Sequence, residues 1–337
     1  MDNLLGNWEQ LLFITVESVQ ISTILLIALG FCVGLLSGLL GLGGGWLITP
    51  ALNILGIPMI LAVGTALAQM SLNSFLSAIK HRKRGNLDMT LGVALSIPMI
   101  FSIQGGKYTM GLLDSAGNAE GVVSILFMVL LSTLGSFMFY ESFKALITKD
   151  DRDNRSPAPI DPNAKKRWFL RGPQIKIGPN HDRPVSLIII VILGLIAGFL
   201  SGILGIGGGF LLMPAMIYLL RVPTLIAVAT SLICVMIGSF SGSISYGLSG
   251  KIEYLVVVVL LIGTIFGSQV GVAATKYVKG GPLRLLFSGV VLLSALSILM
   301  KYLNYQLVAQ ILIFGSATIL TATILVMMGI NMVKQNS

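Results

Sequence analysis

Two short runs, Gly-Leu-Gly-Gly-Gly over 41–45 and Gly-Ile-Gly-Gly-Gly over 205–209, stand inside long apolar stretches. Each glycine costs a helix interior about 1 kcal/mol relative to alanine, so such a run breaks a helix. Non-helical backbone at membrane depth persists only where protein or a water-filled cavity satisfies its N–H and C=O groups. The helix that resumes after each run, near Trp46 and near Phe210, presents N–H groups and the positive end of its dipole. That combination suits a small anion. Gly43, Gly44, Gly45 and Trp46, with Gly207, Gly208, Gly209 and Phe210, are therefore candidate substrate-binding residues. Pro50 and Pro214 fall near these helix starts, where a proline is better tolerated. A second reading gives the glycines to close helix packing, as small residues do in membranes. Nucleotide binding fits poorly, because no lysine follows the glycines as a P-loop requires.

A second set of polar groups lies downstream. Thr65, Gln69 and Asn73 are spaced by four and share one helix face, which points to a neighbour or a cavity rather than to lipid. Thr230 and Ser231 do similar duty in the second half, and Gln104 and Gln269 occupy matching places in two further helices. Gln269 stands beside Gly263, Gly267 and Gly271, a spacing of four that reads as a packing face. Hydroxyl and amide donors without fixed charge suit an oxyanion that is bound and then released. Hydrogen bonding between helices accounts for the same residues, at under about 2 kcal/mol per contact.

No carboxylate or histidine, the usual proton carrier, lies mid-helix; uniport, or coupling through the anion's own protonation, fits that pattern. Asp88 and Glu253 stand at helix starts, where they cap the dipole. Cys32 and Cys234 lie in apolar runs and read as packing. His81 and His181 lack metal-ligand company, so no metal and no cofactor is expected. HExxH and nucleophile–base constellations are missing, and an enzyme is not expected.

The elements that carry these residues are membrane helices. The chain of 337 residues is 55% hydrophobic and 10% charged, against about a quarter charged in soluble domains. Between Glu17 and Lys80 lie 62 residues without a charge, and between Arg183 and Arg221 lie 37; one crossing takes about 20. The net charge of +9 is concentrated: Lys144 to Arg183 holds ten of the 22 Lys and Arg, interspersed with aspartates. A solvated loop fits this, and nucleic acid does not, since no aromatics interleave for base stacking.

The halves repeat. Gly34 to Leu52 and Gly198 to Met216 are identical at 12 of 19 positions at an offset of 164. The match continues at an offset of 165 through Thr65 with Thr230, Gly85 with Gly250, Asp88 with Glu253 and Gln104 with Gln269. Each copy is expected to hold a long helix (18–40, 185–204), a glycine break, a short apolar segment (46–56, 210–220) and three longer helices. These fall at 59–80, 88–106 and 121–146, then at 223–247, 253–275 and 283–302; a last helix, 307–332, has no counterpart. The expected organisation is a first repeat over 1–147, a charged cytoplasmic loop over 148–184, a second repeat over 185–303 and an extra helix and tail over 304–337. Outside the shared loop, nine basic residues fall inside and three outside if the short segments cross, against six and six if they are re-entrant. The positive-inside rule thus favours an all-α polytopic protein of two inverted repeats of about five membrane segments each.

The repeated unit, GLLSGLLGLGGGWLITPAL and GFLSGILGIGGGFLLMPAM, resembles the hallmark of the TauE/SafE family, the sulfite exporter or toluenesulfonate uptake permease family. The resemblance extends to Ala229–Leu232, its looser echo Gly64–Leu67, and the turns at Gly85–Asp88 and Gly250–Glu253. It implies a transporter that moves sulfite, organosulfonates or related sulfur-containing anions, usually outward, across a bacterial or archaeal inner membrane; the duplication, paired breaks and polar helix faces point to alternating access. The implied partners are that anion and membrane lipid. An anion channel is the alternative, and an intramembrane enzyme a more distant one. The charged central loop and the extra last helix depart from the family pattern.

Overall fold

Each half begins with a hairpin that feeds a buried helix. β1 (Phe13–Val16) pairs antiparallel with β2 (Val19–Ser22), and β3 (Gln174–Ile177) with β4 (Arg183–Ser186). The first helix was expected from residue 18, but Val19-Gln-Ile alternates as a strand, with Gln20 exposed and Ile21 buried. Helix α1 (Thr23–Leu40) starts after Ser22, and α6 (Leu187–Leu204) after Ser186, 164 residues later. The computed structural model describes residues 13–16, 19–82, 87–147, 173–177, 183–220, 222–275 and 281–336. Most of the charged loop expected over 148–184 therefore lies outside the described residues.

The remaining helices keep the repeat. In the first half they are α2 (Gly45–Ile54), α3 (Met59–Arg82), α4 (Met89–Ser115) and α5 (Ala119–Ile147). In the second they are α7 (Gly209–Tyr218), α8 (Thr224–Leu248), α9 (Tyr254–Ala274) and α10 (Gly281–Tyr302), and α11 (Gln306–Asn336) follows without a counterpart. Among the described residues nine helices are long and apolar enough to cross a membrane. The short α2 and α7 have ten residues each, which rise only about 15 Å. One boundary differs from expectation. Helix α4 continues nine residues past 106, through Gly105-Gly106, because Gly106 packs on the backbone of Phe199 and Gly202; tertiary contact overrides glycine's poor propensity.

The two halves pack by exchange. Gly30, Gly34 and Gly38 of α1 meet Leu260, Thr264 and Ser268 of α9, while Gly263, Gly267 and Gly271 of α9 meet Ile27, Phe31 and Leu35 of α1. A Cβ on Gly263 would stand 2.0 Å from the Ile27 carbonyl oxygen, so the glycines are what let these backbones touch. The equivalent pair is α6 with α4, where Gly194, Gly198 and Gly202 meet Leu95, Met99 and Ile103. In both pairs the residue numbers rise together, so the helices run parallel. The central pair, α3 and α8, runs antiparallel: Gly64 lies against Lys251, Leu67 against Gly242, and Ala78 packs with Leu232 and Ile233.

Each short helix doubles back toward its hairpin. Gly56, just past α2, lies against Val19 of β2, and Leu220 and Val222, past α7, pack in a cluster with Ile175 and Val185 of the second hairpin. In the first half this return is clamped. The Lys301 ammonium at the end of α10 donates to Asn53 O at 2.9 Å, Asn53 Oδ1 at 2.5 Å and Glu120 Oε1 at 2.5 Å, and Gln306 Nε2 of α11 donates to Ile54 O. A cation at a helix C-terminus meets the negative end of its dipole and satisfies its last carbonyls. Lys301→Met is expected to lower stability by about 1–3 kcal/mol, because it strands buried acceptors. Glu120→Gln should cost less, since that side chain is 63% exposed and its pairing is screened. Denaturant unfolding in detergent reads both, and equal losses would show that the pair, not the helix end, matters.

Candidate functional site

The two breaks adopt the same backbone. Gly41, Gly43 and Gly44 have φ of 70°, 79° and 95°, and Gly205, Gly207 and Gly208 have 70°, 67° and 77°. Only glycine takes these left-handed values without strain. Gly41 and Gly205 end α1 and α6 by donating to the carbonyls of Ser37 and Ser201, both at 2.8 Å. Gly44 and Gly208 are the N-caps of α2 and α7. The positive ends of two half-helices thus begin at equivalent places.

Those places adjoin one another. A Cβ on Gly45 would lie 2.3 Å from the Gly205 carbonyl oxygen, and one on Gly209 would lie 3.2 Å from the Leu42 carbonyl oxygen. Between the breaks stand Met70 of α3 and Val235 of α8, equivalent at the offset of 165. Met70 reaches Gly43, Gly45 and Gly207; Val235 reaches Gly43, Gly207 and Gly209. The packing role of the glycines is therefore visible in their contacts. Trp46 and Phe210, each 1% exposed, stack at 5.7 Å between ring centroids, and Phe287 of α10 meets Trp46 edge-on at 5.4 Å. This aromatic group closes one side of the junction.

Several expected site residues hold helices together. The Glu253 backbone N–H donates to Thr65 Oγ1 at 3.0 Å, and the Asp88 N–H donates to Thr230 Oγ1 at 3.2 Å, a matched pair that ties the start of the fourth helix of each half to the opposite half. Asp88 also accepts from Leu91 N–H at 3.0 Å, the cap its position implied. Ser231 donates to Gly41 O at 2.7 Å and so braces the first break; Thr49 reaches Gly205 O at 3.4 Å and braces the second. Gln69 Nε2 donates to Thr264 Oγ1 at 2.7 Å, which in turn reaches Gly30 O and Leu260 O. Gln104 and Gln269 do not join the centre: both are exposed, and Gln104 donates to Ser241 Oγ at 3.0 Å.

A different set gathers around the breaks. Among the described residues, Ser37 Oγ, Ser201 Oγ, Ser74 Oγ, Ser239 Oγ, Trp46 Nε1, Gln69 Oε1 and both amide atoms of Asn73 are buried without a hydrogen-bond partner. Buried polar atoms are nearly always paired, so this concentration is unusual. Two of the serine pairs are equivalent: Ser37 with Ser201 at the offset of 164, and Ser74 with Ser239 at 165. Ser239 Oγ sits directly at the second break, 2.8 Å from where a Gly207 Cβ would be. The signal for them lay in the repeat itself, where serine faces serine, but no motif marked Ser37, Ser74, Ser201 or Ser239 for binding.

The sequence that folds this way has relatives. The family model described as "Sulfite exporter TauE/SafE" matches residues 26–298. The chain is 28% identical over 263 residues to "Probable membrane transporter protein YunE" of Bacillus subtilis, covering 76% of this chain and 89% of that one. It is 28% identical over 282 residues to "Probable membrane transporter protein MJ0441" of Methanocaldococcus jannaschii, covering 79% and 91%. With "Probable membrane transporter protein YjnA" of Bacillus subtilis it shares 27% over 278 residues, covering 81% and 98%. No solved structure matches it. The chain is a multi-pass integral membrane protein that belongs to the TauE/SafE family of membrane transporters.

Proposed function

We propose that this membrane transporter carries small oxyanions, sulfite or organosulfonates, and binds them where its two glycine breaks meet. The carrying observation is the matched pairs of buried, unpartnered hydroxyls: Ser37 with Ser201, one turn before each break, and Ser74 with Ser239, of which Ser239 lies at Gly207. Neutral donors and helix dipoles attract an anion without holding it so tightly that release is slow. The family description supports sulfur as the central atom. Gly43, Gly44, Gly45, Gly207, Gly208 and Gly209 supply the backbone, Trp46 and Phe210 the wall, and Gln69 and Asn73 further polar contacts.

Alternating access is the transport mode we favour over an open channel, because Met70 and Val235 fill the junction between the breaks. The antiparallel packing of the equivalent helices α3 and α8 supports inverted repeats, and the charge distribution supports a cytoplasmic central loop. Export is the direction the family name suggests.

Proteoliposomes loaded with labelled sulfite, sulfoacetate or a carboxylate control test this reading. Wild-type protein is expected to release the sulfur oxyanions, and the double variant Ser37→Ala with Ser201→Ala to lose at least about tenfold in flux. Stability should hold or rise, since removing an unpaired buried hydroxyl removes its desolvation penalty. Absence of anion-dependent flux, or full flux in the double variant, would sink the proposal.

A further inference from the structure

The seam between α4 and α8 carries polar groups that the central site does not use. On α8, Ser241 and Ser245, with the C-cap residue Ser249, recur every four residues and so form one stripe. On α4, Gln104 donates to Ser241 at 3.0 Å and the Lys107 ammonium donates to Ser249 Oγ at 2.7 Å. Large apolar side chains flank the stripe on both helices: Phe101 and Tyr108 are 72% and 69% exposed, and Phe240 and Leu248 60% and 86%. Polar groups thus run along a seam flanked on both helices by exposed apolar side chains. Ser241 stands two residues after Ser239 and so on a different face of α8, which keeps the seam separate from the break where the Ser239 hydroxyl lies.

Lys107 is the unusual member. It stands eight residues before the end of α4 at Ser115, about 12 Å along the helix. A charge placed in a membrane helix is costly and marks an ion pathway more often than not. Nearby Lys251 pairs with Asp114 at 3.5 Å, whereas among the described residues no carboxylate pairs with Lys107. The equivalent seam, α9 with α3, keeps Gln269 but has Val272 in place of Lys107 and Leu76 in place of Ser241. The duplicated scaffold therefore does not need a lysine for packing.

We propose that the α4–α8 seam is an oxyanion-binding site, with Lys107 supplying the charge and Gln104, Ser241 and Ser249 the hydrogen bonds. It rests on the reading that the protein moves oxyanions, and adds a second anion contact away from the central junction. Capping of the α8 C-terminus by Lys107 is the competing structural role, and it predicts a change in stability rather than in anion response.

Two measurements separate these. In vesicles of neutral phosphatidylcholine, modification of Lys107 by a succinimidyl ester, read by peptide mass spectrometry, is expected to slow severalfold in the presence of sulfate. Protection by added phosphatidylglycerol alone would assign the seam to a lipid phosphate instead of a free oxyanion; protection by neither overturns the proposal. In flux assays, Lys107→Met is expected to raise the half-saturating anion concentration about tenfold at unchanged maximal flux, from one side of the membrane only, with Lys107→Arg restoring it. Equal loss in both variants together with a lowered unfolding midpoint would reduce Lys107 to a helix cap. Sulfate protection without any wild-type flux would keep the seam and remove the transport reading.

Discussion

Gly45→Ala is expected to abolish flux and destabilise the protein by about 3 kcal/mol, the upper range for forcing a group into a packed interior. The sign is informative. Gly45 is helical and its φ is not left-handed, so propensity alone would make alanine better by about 1 kcal/mol. Packing reverses this, because the new Cβ would meet the Gly205 carbonyl oxygen at 2.3 Å and Met70 Sδ at 2.6 Å. A backbone carbonyl of the opposite break cannot step aside without moving that break. The equivalent change, Gly209→Ala, meets chiefly Val235 Cγ2 at 2.4 Å, the end of a side chain. Adding Val235→Ala should therefore recover much of the stability lost at 209, while Met70→Ala should not rescue Gly45→Ala. Denaturant unfolding in detergent and proteoliposome flux read both arms. Wild-type stability and flux in Gly45→Ala would show that the breaks do not need to touch.

Asn73→Leu is expected to split stability from activity. Asn73 is fully buried, and neither amide atom has a hydrogen-bond partner among the described residues. Each such group costs about 1–3 kcal/mol in desolvation, so an apolar side chain of similar volume should raise stability by about 1–2 kcal/mol. If Asn73 touches the anion, flux falls at least about tenfold in the same variant, the usual exchange of stability for function. Gln69 provides the contrast, because its amide already donates to Thr264 at 2.7 Å. Gln69→Leu removes that bond together with the unpartnered Oε1, while Thr264 keeps its carbonyl partners, so its stability should change less than that of Asn73→Leu. An Asn73→Leu protein that is both more stable and fully active would remove Asn73 from the site.

The residues themselves show how far each line of reasoning reaches. Four-residue spacing correctly put Gly263, Gly267 and Gly271 on a packing face, since periodicity along one helix is a local property. The same spacing put Thr65, Gln69 and Asn73 on one face but could not say that Thr65 would receive a backbone N–H of the other half while Asn73 received nothing. Gln104 and Gln269 matched across the repeat as expected, yet both face outward. Lys107 passed unremarked because one lysine near a glycine pair carries no pattern until Ser249 is placed beside it.

By itself the sequence determined the membrane class, the duplication, the two helix breaks and their equivalence, because composition, charge-free length and glycine's backbone freedom act within a few turns of chain. Only the tertiary structure decided that α1 pairs with α9 and α6 with α4, that Gly45 meets Gly205, and that Met70 and Val235 fill the space between the breaks. The helix pairings and the Gly45–Gly205 contact join residues more than 90 positions apart. In lipid, where every face of a helix is apolar enough to pack, close fit between small residues selects the neighbour.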